Sequence, residues 1–195
     1  MSRFLNAMFI LVTILTNNTA NAGSYGFFEE QFRVDSSGFI PTVDGLWGQN
    51  IEGILGVEAF LLQSPGWSEA YVGPTFKFSD ELTVGLSSGV QMNNGKFEPR
   101  FATSLFLNFN DFATSTIVEW GTNGDVDLWY DTKATYKIEW LTFGLHLRRF
   151  VGFGPTVSIS TPENKLSYWL SWTPVDVEMG KFEAGKALFG GKLGF

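Results

Sequence analysis

The sequence predicts an all-β protein whose strands form an antiparallel up-and-down barrel of ten or twelve strands. From Ile51 onward, segments of about ten residues alternate with turn signals made of Gly, Asn, Asp and Pro, a spacing typical of antiparallel arrays. Within these segments apolar residues recur at every second position, which is the period of a strand whose two faces meet different surroundings. We find no linker and no second domain.

The predicted strands follow in order from Ile51, and each is ended by residues that preset or tolerate turn dihedrals. Clear separators are residues 64–67, 93–95, 110–111 and 161–164. The predicted strands are residues 51–62, 68–78, 82–92, 100–109, 112–120, 126–138, 141–149, 152–160, 165–172 and a closing stretch that ends at Phe195.

Residues 23–50 precede these strands, and the sequence leaves their placement open. A barrel whose chain ends lie on the same side needs an even number of strands. Residues 23–50 therefore lie outside the wall, or they add a strand at 25–34 and a further strand lies in 38–49 or 175–183.

The alternation divides each strand into an apolar face and a polar face. Leu105 and Leu145 lie on apolar faces, whereas Ser104, His146 and Arg148 lie on the opposite faces of the same strands. In a water-soluble sandwich or barrel the apolar face packs inward, and in an outer-membrane barrel it contacts lipid instead. The period alone fits both arrangements.

Aromatic residues near the strand ends favour the lipid-facing arrangement. Phe109, Phe112, Trp120, Trp140 and Trp172 stand beside predicted turns, as in the aromatic girdles of membrane barrels. The polar faces are rich in Gly and Ser, which leave room for bulky neighbours inside a narrow lumen but suit a solvated sheet less well. The sequence therefore predicts a transmembrane barrel, with a secreted soluble β-barrel that binds a ligand as the alternative.

The closing strand carries the most specific pattern in the chain. Phe189 and Leu193 share one face of it, and the chain ends on Phe195. This ending resembles the closing strand of bacterial outer-membrane β-barrels, whose terminal aromatic residue is read by the assembly machinery. The resemblance implies that Phe189, Leu193 and Phe195 form an assembly signal and that the protein lies in the outer membrane of a Gram-negative bacterium. Its implied partners are outer-membrane lipid and the barrel-assembly machinery.

The beginning of the chain has the order of a secretory signal peptide. A basic start at Arg3 precedes an apolar stretch at 4–15 and a small-residue cleavage site at 20–22. The apolar stretch is shorter than the roughly 20 residues that a helix needs to cross a bilayer. We therefore expect residues 1–22 to be a cleaved signal peptide and residues 23–195 to be a single barrel domain.

The composition narrows the possible partners and cofactors. The chain has no Cys and a single His, so a disulfide framework and a thiolate metal site are excluded. We therefore expect no metal and no cofactor. The formal net charge of -7 disfavours binding to nucleic acid.

One predicted hairpin carries several charged residues on its polar face. Counting residue pairs away from its Glu-Trp turn places Asp131 opposite Arg148 and Lys133 opposite His146, with Lys137 nearest the turn. Asp131 and Arg148 would form a cross-strand ion pair.

A second hairpin, which turns at an Asn-Asp pair, carries another predicted ion pair. The same counting puts Ala102 opposite Glu119 and Arg100 diagonal to Glu119. The lumen candidates are therefore Arg100, Glu119, Asp131, Lys133, Lys137, His146 and Arg148, and the polar faces add Glu52, Glu58, Glu69, Lys77, Asp127, Glu139, Lys165, Lys186 and Lys192.

Fixed charges inside a barrel allow two interpretations. They form a charged constriction that selects solutes by sign and size, or they form a plug of mutually paired charges that fills the lumen. The signs are mixed along the polar faces, which favours pairing. The sequence therefore predicts either a small passive channel for small solutes or a structural membrane component, and it does not predict an enzyme.

A catalytic alternative depends on His146, because the chain has no other histidine. An outer-membrane enzyme that acts on lipid or peptide needs a nucleophile and a base near the rim of the barrel. The pattern instead places His146 on the polar face between Gly144 and Arg148, with no Ser two residues away. We predict that His146 is a polar residue of the lumen.

Overall fold

The computed structural model describes residues 23–36, 38–122, 128–161, 163 and 165–195. Within these ranges the chain is built from strands joined by turns and loops. The strands are β1 (Ser24–Asp35), β2 (Gly38–Glu52), β3 (Leu55–Ser64), β4 (Trp67–Lys77), β5 (Leu82–Asn93), β6 (Lys96–Phe109), β7 (Phe112–Gly121), β8 (Trp129–Ile138), β9 (Leu141–Arg148), β10 (Gly152–Ser160), β11 (Leu166–Trp172), β12 (Val175–Asp176), β13 (Lys181–Phe182) and β14 (Ala187–Gly194).

The sheet closes on itself because β14 pairs with two strands. Leu193 of β14 lies opposite Phe28 of β1 on one side and opposite Leu166 of β11 on the other. All neighbours pair antiparallel, and β12 and β13 form only a short hairpin between β11 and β14. The predicted all-β, up-and-down barrel of the transmembrane type is confirmed, with twelve strands in the wall. No helix in the described ranges is both long and apolar enough to cross a membrane.

Residues 24–35 and 38–50 lie in the wall, so the segment that the sequence left open contributes two strands. They form β1 and most of β2, and Glu29 of β1 lies opposite Asp44 of β2 and Lys192 of β14. The strand predicted to begin at residue 51 begins at Leu55 instead, because β2 continues to Glu52. The predicted signal peptide lies outside the described residues, as do residues 126–127 of the predicted strand 126–138.

The outer face of the wall is apolar, as the alternation predicts for a membrane barrel. Leu105, Leu145 and Leu193 point away from the lumen and are 39%, 50% and 51% exposed. The same face exposes many other large apolar side chains, among them Phe28, Leu86, Val90, Phe101, Phe143, Val157, Leu170 and Phe189. A face of this kind needs an apolar solvent around it.

Aromatic side chains gather at both ends of this apolar face. The end at which Gly23 and Phe195 lie, which we call the termini end, exposes Phe78, Phe109, Phe112, Trp140 and Phe195. The opposite end, the loop end, contains the turns after β1, β3, β5, β7, β9 and β11 and exposes Phe39, Phe97, Trp120 and Trp172. Two such belts are typical of a barrel whose rims lie at the two membrane interfaces.

The lumen is filled in part by inward apolar side chains that break the simple alternation. Leu46, Phe60, Phe106 and Ile117 converge on a small internal cavity. A glycine makes room beside them, because a Cβ at Gly85 would overlap the Ser104 hydroxyl and the Glu58 carboxylate. Nearer the loop end, a second apolar cluster forms from Val151, Trp169 and Leu188.

Candidate solute-binding lumen

A buried network of charged groups spans strands β4, β6 and β7, and we call it the Arg100 cluster (Glu69, Tyr71, Arg100 and Glu119). Arg100 Nη2 donates to Glu119 Oε2 at 3.3 Å, and Arg100 Nε donates to the Tyr71 hydroxyl at 3.4 Å. The Tyr71 hydroxyl lies 3.0 Å from Glu119 Oε2 and 3.2 Å from Glu69 Oε2. All four side chains are buried, so the two carboxylates share one guanidinium and one phenol inside the barrel.

The lumen is narrow below the Arg100 cluster. A cavity of about 30 Å³ remains there, lined by the apolar side chains named above together with Glu58, Tyr71 and Glu119. Glu58 accepts hydrogen bonds from Ser87 Oγ and Ser104 Oγ, each at 3.2 Å. A space of this size holds about one water molecule. This region is therefore a narrow part of the lumen, and we call it the constriction.

A second network lies on the other side of the lumen, and we call it the His146 cluster (Gln31, Asp131, His146, Arg148 and Ser171). His146 Nε2 lies 3.0 Å from Asp131 Oδ1, and His146 Nδ1 lies 2.9 Å from Ser171 Oγ. Arg148 Nε lies 3.5 Å from Asp131 Oδ2, and Arg148 Nη1 donates to Gln31 Oε1 at 2.6 Å. The cluster joins β8 and β9 to β11 on one side and to β1 across the lumen.

The contacts of Asp131, His146 and Ser171 follow the order of groups in a hydrolase triad, but the geometry differs from one. Asp131 contacts Nε2 and Ser171 contacts Nδ1, the reverse of the usual arrangement. Ser171 is 0% exposed, and its hydroxyl donates to Thr156 Oγ1 at 2.7 Å. A substrate therefore does not reach this hydroxyl in the structure, and the contacts serve to hold the His146 ring.

Two lysines of the lumen lie over aromatic rings. Lys133 Nζ is 4.1 Å from the centroid of the Trp169 ring, and Lys192 Nζ is 3.8 Å from the centroid of the Phe27 ring. Arg148 makes a similar contact with Trp129, at 5.1 Å from its guanidinium carbon. Such contacts hold a cation against the wall at a modest gain in free energy.

A larger cavity, which we call the vestibule, opens at the loop end above both clusters. Its volume is about 410 Å³. Within the described ranges, the charged side chains that line it are Arg33, Arg100, Arg148 and Arg149. The other described lining residues are Gln31, Ile40, Thr42, Ser64, Pro65, Trp67, Gln91, Asn93, Leu128, Trp129, Phe150, Val151 and Leu188.

The structure brings the predicted pairs together. Asp131 lies opposite Arg148, Lys133 opposite His146, and Lys137 opposite Thr142, in the register that the sequence predicts. Ala102 lies opposite Glu119, and Arg100, two residues before Ala102 on the same face of β6, lies diagonal to Glu119.

Several other charged residues of the polar faces lie outside the enclosed lumen, contrary to the prediction. Glu52, Lys77, Glu139 and Lys165 are exposed at strand ends or turns, where the wall no longer encloses them. Lys186 lies near the loop-end hairpin, 2.9 Å from Asp176 Oδ2 and 3.0 Å from Glu183 Oε2. Asp127 lies outside the described residues.

Sequence reasoning missed several polar residues that complete the two clusters. Gln31 was missed because the placement of β1 was open, and Ser171 because it reaches His146 across β10 rather than from a paired strand. Tyr71 was missed because a tyrosine on a polar face gives no charge signal. The alternation of β4 and β11 was the available signal, since it places Tyr71 and Ser171 on the inward faces.

Within the described part of the chain, no group of three or more His, Cys, Asp or Glu side chains could hold a metal ion.

Comparisons with known proteins agree with the fold and give no family. No protein-family model matches the chain, and a search of the curated proteins finds no match. One solved structure, from work on the in-meso crystallization of membrane proteins, is similar with a TM-score of 0.58 at 11% identity and covers 88% of this chain and 83% of that chain. At this identity the similarity shows the fold alone.

A second solved structure, a mutant of the Rh. blastica porin, aligns with a TM-score of 0.35 at 7% identity over 90% of this chain and 100% of that chain. This similarity is too weak to support an argument about the present barrel.

Proposed function

We propose that this chain is an integral outer-membrane β-barrel that works as a narrow passive channel for small solutes. The proposal is supported by which side chains point outward and which point into the lumen. Apolar residues such as Leu105 and Leu145 face outward between two aromatic belts, whereas charged and hydrogen-bonding groups line an interior that opens into the vestibule. A polar lumen inside an apolar outer surface is the arrangement of a pore in lipid.

The constriction sets the size of what passes. The vestibule has a volume of about 410 Å³, whereas the cavity beside the Arg100 cluster, lined by other residues, has a volume of about 30 Å³. We therefore expect a low conductance, carried by small ions, that depends on the fixed charges of the lumen. Replacing Lys133 or Arg148 by Gln should shift the conductance and the preference between cations and anions.

Single-channel recording in planar bilayers tests the proposal, with a pair of variants matched in chemistry. Phe106→Ala removes a ring that lines the constriction, and Phe143→Ala removes a ring from the outer face. We expect small conductance steps for the native protein, steps several-fold larger for Phe106→Ala, and native steps for Phe143→Ala. Circular dichroism of each variant shows whether the barrel has formed.

Silence of both the native protein and Phe106→Ala, with intact barrels, would contradict the channel. Silence of the native protein with conductance in Phe106→Ala would instead favour the second candidate function, a plugged barrel that serves as a structural membrane component. Its supporting observation is the pairing of buried charges, as in the contacts of Arg100 with Glu119 and of Arg148 with Asp131. Paired charges fill a lumen as effectively as they line one.

The proposed location includes a cleaved signal peptide and assembly through the closing strand. Phe189 and Leu193 lie on the outer face of β14, and the Phe195 carbonyl accepts a hydrogen bond from Gly26 N–H of β1 at 3.1 Å, next to the seam that closes the barrel. We propose that the barrel-assembly machinery of a Gram-negative bacterium recognises this strand.

Two measurements on expressed protein test this location. Sequencing of the mature amino terminus should begin at Gly23, and the protein should sediment with outer membranes and resist extraction by urea. Deletion of Phe195 should lower the amount of heat-modifiable barrel in the membrane. Recovery of the native chain in the aqueous fraction without detergent would instead support the secreted soluble β-barrel.

A further inference from the structure

Among the residues that the structure describes, all the charged side chains that line the vestibule carry the same sign. They are four arginines, and none of the described lining residues is Asp, Glu or Lys. The chain as a whole has a formal net charge of -7, so this local excess of positive charge opposes the overall balance. A concave wall of one sign concentrates solutes of the opposite sign.

The carboxylate partners of these arginines lie outside the vestibule lining. Arg33 Nε lies 3.0 Å from Asp35 Oδ2, and Arg148 Nε lies 3.5 Å from Asp131 Oδ2. Each partner contacts its arginine at the Nε edge. Arg148 Nη1 also donates to Gln31 Oε1 at 2.6 Å. Because a guanidinium carries five N–H donors, the carboxylates and Gln31 orient these two side chains while further N–H groups of Arg33 and Arg148 remain for a ligand.

The rest of the lining suits a small organic molecule rather than a bare ion. Trp67 and Trp129 contribute flat apolar surfaces, and Trp67 is fixed because its Nε1 donates to Gln91 Oε1 at 3.3 Å. Asn93 and Thr42 add hydrogen-bonding groups around the opening. The volume of about 410 Å³ falls within the roughly 300–1,000 Å³ of small-molecule pockets.

We infer that the vestibule binds a small organic anion, whose carboxylate or phosphate group lies against Arg33 and Arg148 while its body lies near Trp67 and Trp129. Both kinds of acid present oxygen acceptors that match the fork of a guanidinium. The inference rests on the proposed channel function, since it names the class of solute that enters the lumen. It goes beyond that function by assigning a binding site to defined residues.

Isothermal titration of the full-length mature protein in detergent micelles tests this site with four sugars of similar size. Glucuronate carries a carboxylate, glucose 6-phosphate carries a phosphate, glucose is neutral and glucosamine is cationic. We expect at least one of the two anions to bind at least tenfold more tightly than glucose, and glucosamine to bind no more tightly than glucose. The stronger of the two anions identifies the acidic group that the site prefers.

Variants at the vestibule separate a specific site from general electrostatic attraction. Arg33→Gln, near the rim of the vestibule, should weaken anion binding about tenfold. Arg148→Lys keeps the charge but loses the fork geometry, and it should also weaken binding severalfold. Lys137→Gln removes one positive charge near the termini end, away from the vestibule, and should leave binding unchanged.

The outcomes separate this inference from the channel proposal. Equal affinity for all four sugars, or equal losses in Arg33→Gln and Lys137→Gln, would overturn the anion site. Absence of anion binding in a protein that conducts in bilayers would overturn the anion site and leave the channel standing. Anion binding in a protein that never conducts would support the site and contradict the channel.

Discussion

The two buried clusters of the lumen use similar groups but are assembled in different ways. The Arg100 cluster draws on β4, β6 and β7, which lie close together in the sheet, and its Arg100–Glu119 pair is separated by only 19 residues. The His146 cluster joins β8 and β9 to β1, and its Arg148–Gln31 bond links residues 117 apart. One cluster therefore depends on local hairpins, and the other depends on closure of the barrel.

The clusters also differ in the balance of their charges. The Arg100 cluster holds two carboxylates, Glu69 and Glu119, against a single guanidinium. In the His146 cluster, Asp131 contacts both Arg148 and His146. The Arg100 cluster is consequently more sensitive to loss of its one cation, whereas Asp131 of the His146 cluster keeps a second partner when one of the two is lost.

The largest expected effect comes from removing the single cation of the first cluster. In Arg100→Met, Glu69 and Glu119 remain as neighbouring buried carboxylates without a guanidinium, so we expect a loss of roughly 3–5 kcal/mol in the free energy of unfolding. Denaturant unfolding of the barrel in lipid vesicles measures this loss. Arg149→Met, whose side chain is 16% exposed at the loop end and contacts Glu178, is the control outside the cluster and should cost less than Arg100→Met.

A double variant checks the cause of that loss. Arg100→Met combined with Glu119→Gln removes one carboxylate together with the guanidinium, and it should recover a large part of the stability. If the double variant is no more stable than Arg100→Met alone, packing of the long side chain rather than charge pairing explains the effect.

This difference between the clusters explains how far the sequence could predict the site. The pairs Asp131–Arg148 and Ala102–Glu119 followed from counting residues away from a two-residue turn, because register within a hairpin is fixed by its turn. The bond from Arg148 to Gln31 could not be counted in this way, since the relative height of β1 and β9 depends on how the whole barrel closes.

The inward apolar residues show a second limit of the sequence pattern. Leu46 of β2 lies opposite Phe60 of β3, and both point into the lumen. The alternation of apolar outward and polar inward residues is therefore obscured in β2 and β3. The predicted strands from residue 68 onward nearly match the structure because their inward faces carry mainly polar or small side chains. In β1 and β2 that signal is weaker, and their place in the wall therefore stayed open.

An intermediate effect is expected from the hydroxyl that joins the second cluster to β11. Ser171→Ala removes the partner of His146 Nδ1 and of Thr156 Oγ1, both in a buried region. Thr156 Oγ1 keeps its bond to the Leu170 carbonyl at 3.3 Å, but His146 Nδ1 loses its contact with Ser171. Leaving a buried group without a partner costs about 1–3 kcal/mol, and the same unfolding measurement detects it. Ser167→Ala, on the same strand and the same inward face but outside the cluster, serves as the control and should cost less.

A comparison of the two clusters sharpens this result. Because the His146 cluster has several contacts, Ser171→Ala should destabilise the barrel less than Arg100→Met does. Equal losses of unfolding free energy in the two variants would contradict this expectation. They would show that the His146 cluster depends on one contact as strongly as the Arg100 cluster depends on its arginine.

The smallest expected effect lies at the loop-end hairpin, outside both clusters and outside the wall. Asp176 accepts a hydrogen bond from Lys186 Nζ at 2.9 Å, and its other oxygen accepts from Met179 N–H at 3.0 Å. The bond from Lys186 and the backbone donors hold the pKa of Asp176 below its ordinary value of 3.8. The hydrogen bond with Asp176 raises the pKa of Lys186 above its ordinary value of 10.5.

These two shifts define a pH window for the hairpin. The lowered pKa of Asp176 contributes stability that is fully present above pH 3.8 and is lost as the pH falls through the pKa of the folded state. The raised pKa of Lys186 contributes stability that is fully present below pH 10.5 and is lost as the pH rises through the pKa of the folded state. Hydrogen exchange of residues 173–186, corrected for intrinsic rates, should therefore show protection at neutral pH that decreases toward both extremes. Asp176→Asn should lower this protection at neutral pH and flatten its acid dependence, while exchange in β4–β7 stays unchanged because the Arg100 cluster lies elsewhere. An acid dependence that persists in Asp176→Asn would assign the effect to another group.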